Sequence, residues 1–395
     1  MSEIFKEKLK VLFSKECRIK LFAVAFSIYI AETIVFEAFY RDIQSVYLLL
    51  ALIRNICYVL IILKIFLDFV NKEFTLKELI FITVVGSLLL ISTIVVKNKN
   101  LLIFWVFIVG ANNIELRKIV KLSLIAHIAA LLFVIASAYM GVIENYITDQ
   151  GTRNRQSLGF LYPTPGSHFV LYTILMWLYI RKNKIKWIEI VLAVTAAVFM
   201  YIKTDTRSPF MLSMLVILAG VILKYSEVLR RYHKCYSFIV IAAVPTACLM
   251  FFILTYKFNW DNEIIVKINN IINGRIYLAA EGFKNYGIKP FGQYIKWIGG
   301  IPGPDEVYNY VDSSYAMILI NYGIIVFAMI MTWAEACSIQ IAKQKDSYMV
   351  FIWSVIAVHS ICDPQFSWIG FNCFLMMYMY IRREINKKKI DSAGS

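Results

Sequence analysis

The chain has 395 residues, of which 60% are hydrophobic and 17% charged, and its formal net charge is +15. A water-soluble fold of this size could not cover so much apolar surface, so the composition excludes an ordinary soluble domain. It predicts an all-α polytopic membrane protein that forms a single integral membrane domain over residues 1–395. The seven cysteines include no CxxC pair, which argues against a disulfide framework and a zinc site. We expect neither a bound metal nor a cofactor.

Apolar segments recur along the whole chain and predict about twelve transmembrane helices. The first begins after a basic N-terminal segment and has no small-residue cleavage site, which indicates a retained helix rather than a signal peptide. The predicted spans are 21–39, 44–69, 78–96, 101–112, 119–141, 165–180, 187–202, 209–223, 236–256, 314–334, 347–361 and 365–381.

The distribution of basic residues predicts the topology. With the N-terminus inside, the inner segments hold twice as many Lys and Arg residues as the outer segments. Short basic loops such as 181–186 orient the neighbouring helices, so both termini are predicted to lie in the cytoplasm. The positive charge is then explained by orientation and by contact with anionic membrane lipids, and we expect no nucleic-acid partner.

Two of the predicted outer loops are long enough to carry function, residues 142–164 and residues 257–313. The second keeps apolar residues throughout and is expected to fold. Its first half has helical periodicity, which would place Arg275 on an apolar stripe that faces the membrane or a cavity. Alternatively, Asn273-Gly274 breaks the helix and Arg275 lies in a loop. Its second half, 289–304, is rich in Pro and Gly, which predicts either a folded loop that covers a site or moves, or a simple linker to the next span.

The segment Thr204 to Phe210 places Arg207 at the start of an apolar helix. We expect Ser208 to cap that helix and Pro209 to fit its first turn. Thr164 before Pro165, and Asp312 or Ser313, are likewise expected to cap two further helices, so three helices would begin at the outer surface. Because a helix N-terminus carries partial positive charge, these starts together with Arg155, Arg207 and Arg275 predict an anion site at headgroup depth.

Other polar residues in or near the spans can be interpreted either as structural or as functional. Glu32 and Glu37 near Arg54 predict either a functional intramembrane charge or a structural ion pair. His127 is expected to make a buried hydrogen bond. His359 and Asp363, at the turn after the eleventh span, are candidates to line the same cavity. The acidic residues Asp261 and Glu263 are read as part of a solvated loop rather than as a metal site.

Four short motifs, taken in order, resemble those of the Wzy-type O-antigen and capsular polysaccharide polymerases and the O-antigen ligases. The resemblance covers roughly residues 150–325. Its motifs are Arg155 to Gly159-Phe160 and Pro163, then Thr206-Arg207-Ser208, then Gly274-Arg275-Ile276 through Pro290-Phe291-Gly292, and finally Asp312 to Tyr315 and Asn321-Tyr322-Gly323.

The resemblance implies a GT-C-like, metal-independent glycosyltransferase that acts on undecaprenyl-pyrophosphate-linked oligosaccharides at the outer face of the cell membrane. A chain-length regulator would be a possible partner. Ligases of the family carry a histidine before the helix that follows the long loop, whereas this chain has Asp312, which favours a polymerase and leaves the base open. The residues expected to do the work are catalytic Asp312, Arg207 and Arg275, and substrate-binding Arg155, Arg153, Tyr315 and Lys289.

The alternatives are a lipid-linked oligosaccharide flippase or exporter, an O-antigen ligase, a SEDS-type glycosyltransferase and a non-catalytic scaffold. A flippase should line a central cavity with charges and have short loops on both sides. Here the charges within spans are few and the polar residues collect in two long loops. This distribution favours an enzyme. Two of the candidates also have a purely structural interpretation, Asp312 as a helix cap and Tyr315 as an ordinary interfacial tyrosine.

Overall fold

The structure is a computed structural model and describes residues 14–149, 154–300 and 306–377. It is a helical bundle with one small hairpin. The long helices are α1 (Lys15–Phe36), α2 (Gln44–Val70), α3 (Leu76–Val96), α4 (Asn100–Gly110), α5 (Leu116–Tyr139), α6 (Thr164–Arg181), α7 (Trp187–Thr204), α8 (Arg207–Tyr225), then, after the short α9 (Glu227–Arg230), α10 (Lys234–Tyr256). The hairpin pairs β1 (Ile147–Asp149) with β2 (Asn154–Gln156) between α5 and α6.

The remaining helices follow the long loop and partly form within it. They are α11 (Glu263–Ile271), α12 (Arg275–Tyr286), α13 (Ser314–Met317), a π-helical segment (Ile318–Tyr322), α14 (Gly323–Gln344) and α15 (Ser347–Cys362). Because residues 257–300 contain two helices, the expectation that this loop folds agrees with the structure.

Within the described residues, eight helices are long and apolar enough to cross a membrane: α1, α2, α3, α5, α7, α8, α10 and the unit Ser314–Gln344. Two more apolar helices, α4 and α15, are shorter. These lengths and compositions are those of a membrane-embedded protein. The predicted twelfth span differs, because residues 364–372 form turns and Cys373–Met376 a 3₁₀ turn, and the rest of that span lies outside the described residues.

The helices pack in two groups joined at their centre. In the first, α1 packs against α2 and α5, and in the second α10 packs against α14 and α15. Helix α6 contacts α5, α8 and α15, and so connects the two. We call the end where α6, α8 and α13 begin the loop end. Here Leu161 donates to the carbonyl of Glu37, and Phe39 to that of Gly159, which ties the start of α6 to the end of α1.

A charged cluster lies in the core at the opposite end. Asp68 lies between two cations, 3.1 Å from Arg18 Nε and 2.6 Å from Lys64 Nζ, and all three side chains are almost fully buried. Arg18 also contacts Glu73, and Lys64 donates to the carbonyl of Asn112. The cluster therefore balances two positive charges with two negative ones and joins α1, α2 and the α4–α5 connection.

Asp68→Ala should strongly destabilise the fold, because it leaves buried cations facing each other without the shared carboxylate. Removing one partner of a buried ion pair typically costs about 3–5 kcal/mol. The melting temperature of the purified protein in detergent measures the effect. Glu16→Ala is the control: it breaks an exposed Glu16–Lys20 pair in α1, the helix that contributes Arg18 to the cluster, and should leave the melting temperature unchanged. An equal shift for both variants would contradict the expectation.

Two polar groups noted in the sequence have structural partners. Arg54 donates to Glu32 from Nε at 3.0 Å and from Nη2 at 2.6 Å, and its guanidinium lies over the ring of Phe36. His127 is fully buried and its Nδ1 lies 2.8 Å from the carbonyl oxygen of Ser123. These contacts match the structural readings of Arg54 and His127.

The loop 287–300 is attached to a break in the helix that follows it. At this break Gly323 has φ +85°, and the π-helical segment ends. Backbone groups that the helix leaves unpaired are bonded by the loop: Gln293 N donates to Asn321 O, and Ile324 N donates to Lys289 O. Ile325 N donates to Pro290 O as well. The loop is thus hydrogen-bonded to the helix on both sides of the break.

Gly292→Ala should release this loop. Gly292 has φ +87°, and a Cβ there would clash with the Asn321 carbonyl oxygen, a contact that only backbone movement can relieve. Limited proteolysis should show faster cleavage within 287–300. Gly141→Ala is the matched control, since Gly141 also has positive φ (+74°) but no atom within 4 Å of the added Cβ. Equal protection of the loop in wild type and Gly292→Ala would contradict the close contact.

Candidate active site

The three helix starts at the loop end have no side-chain caps. Helix α6 is preceded by Pro163, α8 by Thr206 and α13 by Ser313, and none of these side chains accepts a hydrogen bond from the first turn. The expected capping by Thr164 and Ser208 is therefore wrong: α6 begins at Thr164 itself, and α8 begins at Arg207 with Ser208 as its second residue. The uncapped starts leave backbone N–H groups and the positive ends of the helix dipoles at the loop end.

Arg275 and Asp312 form the central ion pair of the site. Helix α11 ends at Ile271, Gly274 adopts positive φ, and Arg275 begins α12, so the chain breaks where Asn273-Gly274 predicted a break. Arg275 Nη1 lies 2.6 Å from Asp312 Oδ2, and its Nε donates to the carbonyl of Cys362 at 3.1 Å. Arg275 is neither on a continuous stripe nor loose in a loop. It is fixed between the start of α13 and the end of α15.

Asp312 has a second partner and a shifted acidity. The hydroxyl of Tyr308 donates to the same Oδ2 atom at 2.8 Å. Burial raises the pKa of the Asp312 carboxyl above its ordinary value, although Arg275 and the Tyr308 hydroxyl act in the opposite direction. The structure does not use Asp312 as the side-chain cap of α13, since the adjacent Ser313 precedes that helix and forms no capping bond. The carboxylate is instead directed to Arg275.

A second carboxylate, Asp363, joins three helices. Its Oδ1 lies 3.2 Å from His168 Nε2 of α6, and its Oδ2 accepts a hydrogen bond from Ser208 of α8 at 3.2 Å. Its backbone carbonyl accepts a hydrogen bond from Ser314 at the start of α13. Asp363 follows Cys362, whose carbonyl holds Arg275. The two acidic residues of the site are therefore connected to all three helix starts.

Asp363 is the end of a buried polar chain. His168 Nδ1 lies 3.1 Å from His359 Nε2, and His359 Nδ1 lies 3.4 Å from the hydroxyl of Tyr172. One set of neutral tautomers satisfies every contact: Tyr172 donates to His359, His359 to His168, and His168 to Asp363. His359 and Asp363 were candidates from the sequence, whereas His168 was missed. The signal for it was a titratable residue inside a predicted span, one turn from the helix start.

His168, His359 and Asp363 are also residues that could hold a metal ion. One ligand atom from each lies within 4.8 Å of the others, and all three side chains are buried. Two imidazoles and a carboxylate are a ligand set that zinc accepts. The hydrogen-bonded chain uses the same atoms, so protons and a metal ion are alternative occupants of this cluster.

Arg155 hydrogen-bonds the turn that precedes α8. It extends from β2, is almost fully buried, and donates from Nε to the carbonyl of Thr204 at 2.7 Å. Its Nη2 donates to the hydroxyl of Thr206 at 3.3 Å, and its Nη1 lies near the Tyr162 hydroxyl. These contacts fix the 204–206 turn before Arg207, so Arg155 has a positioning role in this structure as well as a positive charge near the site.

The other candidates lie in different surroundings. Arg207 is the most accessible of the three arginines, with 60% of its side chain exposed, and its Nε lies 3.9 Å from Asp205 Oδ1. Tyr315 is fully buried and donates to the carbonyl of Ala357, so its ring belongs to the core and offers no free face to a sugar. Lys289 has an exposed side chain, and its carbonyl belongs to the loop contact at the helix break. Arg153 lies outside the described residues.

In comparisons with known proteins, no family model, no curated protein and no solved structure matches the chain. The fold and the site therefore define a class only. The chain is an all-α protein with the apolar helices of a polytopic membrane protein, and one end of its bundle gathers two carboxylates, three arginines and a buried histidine pair.

Proposed function

We propose that this protein is a polysaccharide polymerase. It would transfer a growing glycan from undecaprenyl pyrophosphate to a lipid-linked repeat unit, on the outer face of a membrane that it crosses about twelve times with both termini inside. The observation that carries the proposal is the Arg275–Asp312 pair among uncapped helix starts. It places a cation suited to a phosphate leaving group beside a carboxylate suited to accept a proton.

The proposed reaction uses both members of this pair. An acceptor hydroxyl oxygen attacks the anomeric carbon of the donor glycan, and the bond from that carbon to the phosphate oxygen breaks. The hydroxyl proton passes to Asp312, and the electron pair of the broken bond stays on the pyrophosphate. Arg275, Arg207 and the helix starts stabilise the charge that develops there. An incoming pyrophosphate competes with Asp312 for Arg275, which frees the carboxylate to act as a base.

The positions of Arg207 and Arg275 fit two different roles toward the pyrophosphate. Arg207 is exposed and begins α8, so it can meet a ligand that approaches from outside the bundle. Arg275 is mostly buried and held by two acceptors, which fixes the direction of its guanidinium. A planar guanidinium can form two parallel hydrogen bonds to phosphate oxygens. The proposed GT-C-like character rests on this site together with the folded loop between spans.

The function is tested with purified protein in lipid nanodiscs and lipid-linked repeat units isolated from the source cells. A gel ladder of regular multiples is the expected product. Transfer of glycan to a different acceptor without multiples would indicate a ligase instead. Recovery of unreacted substrate, together with its movement across liposome membranes that contain the protein, would refute the polymerase and support a flippase.

Dialysis against EDTA should leave the ladder unchanged. In the proposed mechanism arginines and helix starts carry the leaving-group stabilisation that a divalent cation supplies in other glycosyl transfers. Metal content is measured in the same dialysed sample, so that retention of a buried ion is recognised. Loss of the ladder that returns when zinc is added back would contradict the expectation and would assign His168, His359 and Asp363 as a metal site.

A further inference from the structure

A cleft opens at the loop end, separate from the Arg275–Asp312 pair. It has a volume of about 660 Å³, within the ~300–1,000 Å³ range of small-molecule sites. Its walls are the last turns of α10, the connection 258–260 and one face of α12. Its lining includes Thr255, Tyr256, Trp260, Tyr277, Glu281 and Lys284.

Aromatic rings form one wall of the cleft. The rings of Phe258, Trp260 and Tyr277 contact one another, with centroids 5.2 Å, 5.3 Å and 5.7 Å apart. Trp260 is 62% exposed, and the nearby Tyr256 is 91% exposed. Large exposed rings clustered beside a cavity indicate a contact surface for a ligand. Trp and Tyr offer an apolar face and a polar edge, which suits the mixed surface of a pyranose ring.

Polar groups extend the lining along the same face of α12. Glu281 and Lys284 lie on successive turns of α12, with 3.7 Å between Oε1 and Nζ, and both line the cleft. The side chains of Glu281 and Lys284 are 38% and 75% exposed, so both can exchange hydrogen bonds with the hydroxyls of a ligand. A lipid tail carries no such hydroxyls.

The cleft and the reacting centre lie on different faces of one helix. Arg275 and Tyr277 are two residues apart, so their side chains point about 200° apart around α12. Arg275 contacts Asp312 and Cys362, whereas Tyr277, Glu281 and Lys284 line the cleft. A ligand in the cleft would therefore lie one helix away from the groups proposed to react.

We propose that this cleft binds a glycan, stacking a pyranose ring on Trp260 and Tyr277 and hydrogen-bonding its hydroxyls to Glu281 and Lys284. The inference rests on the proposed polymerase function, in which it gives the enzyme a hold on the sugar chain away from the pyrophosphate. Such a hold keeps the product bound between additions and lengthens the polymer.

The binding test uses the full chain in nanodiscs and a probe without lipid or phosphate. The probe is the repeat-unit oligosaccharide released by mild acid from the lipid-linked precursor, and binding is followed by saturation-transfer NMR. Wild type should bind it, and Trp260→Ala should bind roughly threefold to tenfold more weakly, as expected for the loss of one stacked ring. Trp187→Ala is the control, because Trp187 is equally exposed (62%), also stacks on a tyrosine, and begins α7 at the opposite end of the bundle.

The ladder assay separates this inference from the proposed function. Trp260→Ala should give shorter products, whereas Arg275→Ala should give none and still bind the oligosaccharide. Failure of wild type to bind, or equal binding by Trp260→Ala, would refute the cleft whether or not a ladder forms. If the probe does not bind, and tail-brominated lipids quench the fluorescence that Trp260→Ala removes, the cleft holds a lipid chain and the inference is wrong.

Discussion

Arg275→Ala is expected to abolish polymer formation while the protein stays in the membrane. The substitution removes the cation proposed to stabilise the leaving pyrophosphate, and loss of one such preorganised donor typically lowers the rate by about 10²–10³. It also leaves Asp312 without its cation. The ladder assay measures the result. Lys267→Ala is the control, because Lys267 is a basic and exposed residue of the same loop, in α11, and this variant should polymerise normally.

Arg275→Lys separates charge from geometry. One ammonium group cannot reach the Asp312 carboxylate and the Cys362 carbonyl as the guanidinium does through two different nitrogens. We therefore expect the lysine variant to keep its melting temperature better than the alanine variant but to recover little activity. Full-length glycan from Arg275→Ala, at wild-type rate, would rule out the pyrophosphate role of this arginine.

Asp312→Asn is expected to lower the polymerisation rate by about 10²–10⁴, the usual contribution of a general base. Asparagine keeps an oxygen that can accept from Arg275 and Tyr308, so the local structure should persist while the proton acceptor is lost. Asp346→Asn is the matched control. Asp346 is also a partly buried aspartate paired with a cation, Lys182, but it lies before α15 at the opposite end. Retained activity in Asp312→Asn would make this aspartate a structural partner of Arg275.

The pH profile gives an independent reading of the same residue. A base must be deprotonated, so the rate should fall as the pH drops through the Asp312 pKa, which burial raises above its ordinary value of 3.8. The Tyr308 hydroxyl bond lowers this pKa. Tyr308→Phe should therefore move the acid limb to higher pH, and an unshifted limb in that variant would mean that another group titrates.

Hydropathy and charge located most helices, because an apolar stretch long enough to cross a bilayer has few other folded forms. Every predicted span except the twelfth coincides with a helix. The twelfth was misjudged at its start, since residues 364–372 mix aromatic residues with polar ones, a proline and a glycine, and form turns. Their backbone groups are bonded within the protein, as when Asn372 donates to the carbonyl of Phe366. Composition alone does not distinguish such a packed turn from a helix.

Sequence reasoning located the site less completely than the fold. Arg275, Asp312 and Asp363 could be singled out because charged groups beside apolar segments are rare. Their pairing could not, since Arg275 and Asp312 are separated by a loop of 36 intervening positions whose path depends on packing. Ser208 was assigned to a cap by its position, but Asp363 competes for its hydroxyl from a distant helix. Capping rules describe a helix alone, and here tertiary contacts decide.

At the break near Gly323, hydrogen bonds couple the long loop to an apolar helix of the bundle. Their shared hydrogen bonds cross from Lys289, Pro290 and Gln293 to the backbone on either side of the break. Lifting the loop would expose these groups unless the helix straightened to pair them internally. A displacement of the loop would therefore disturb the start of α14, which runs to Gln344 at the opposite end of the bundle. A structural change in the loop could thus reach the opposite end of the bundle through α14.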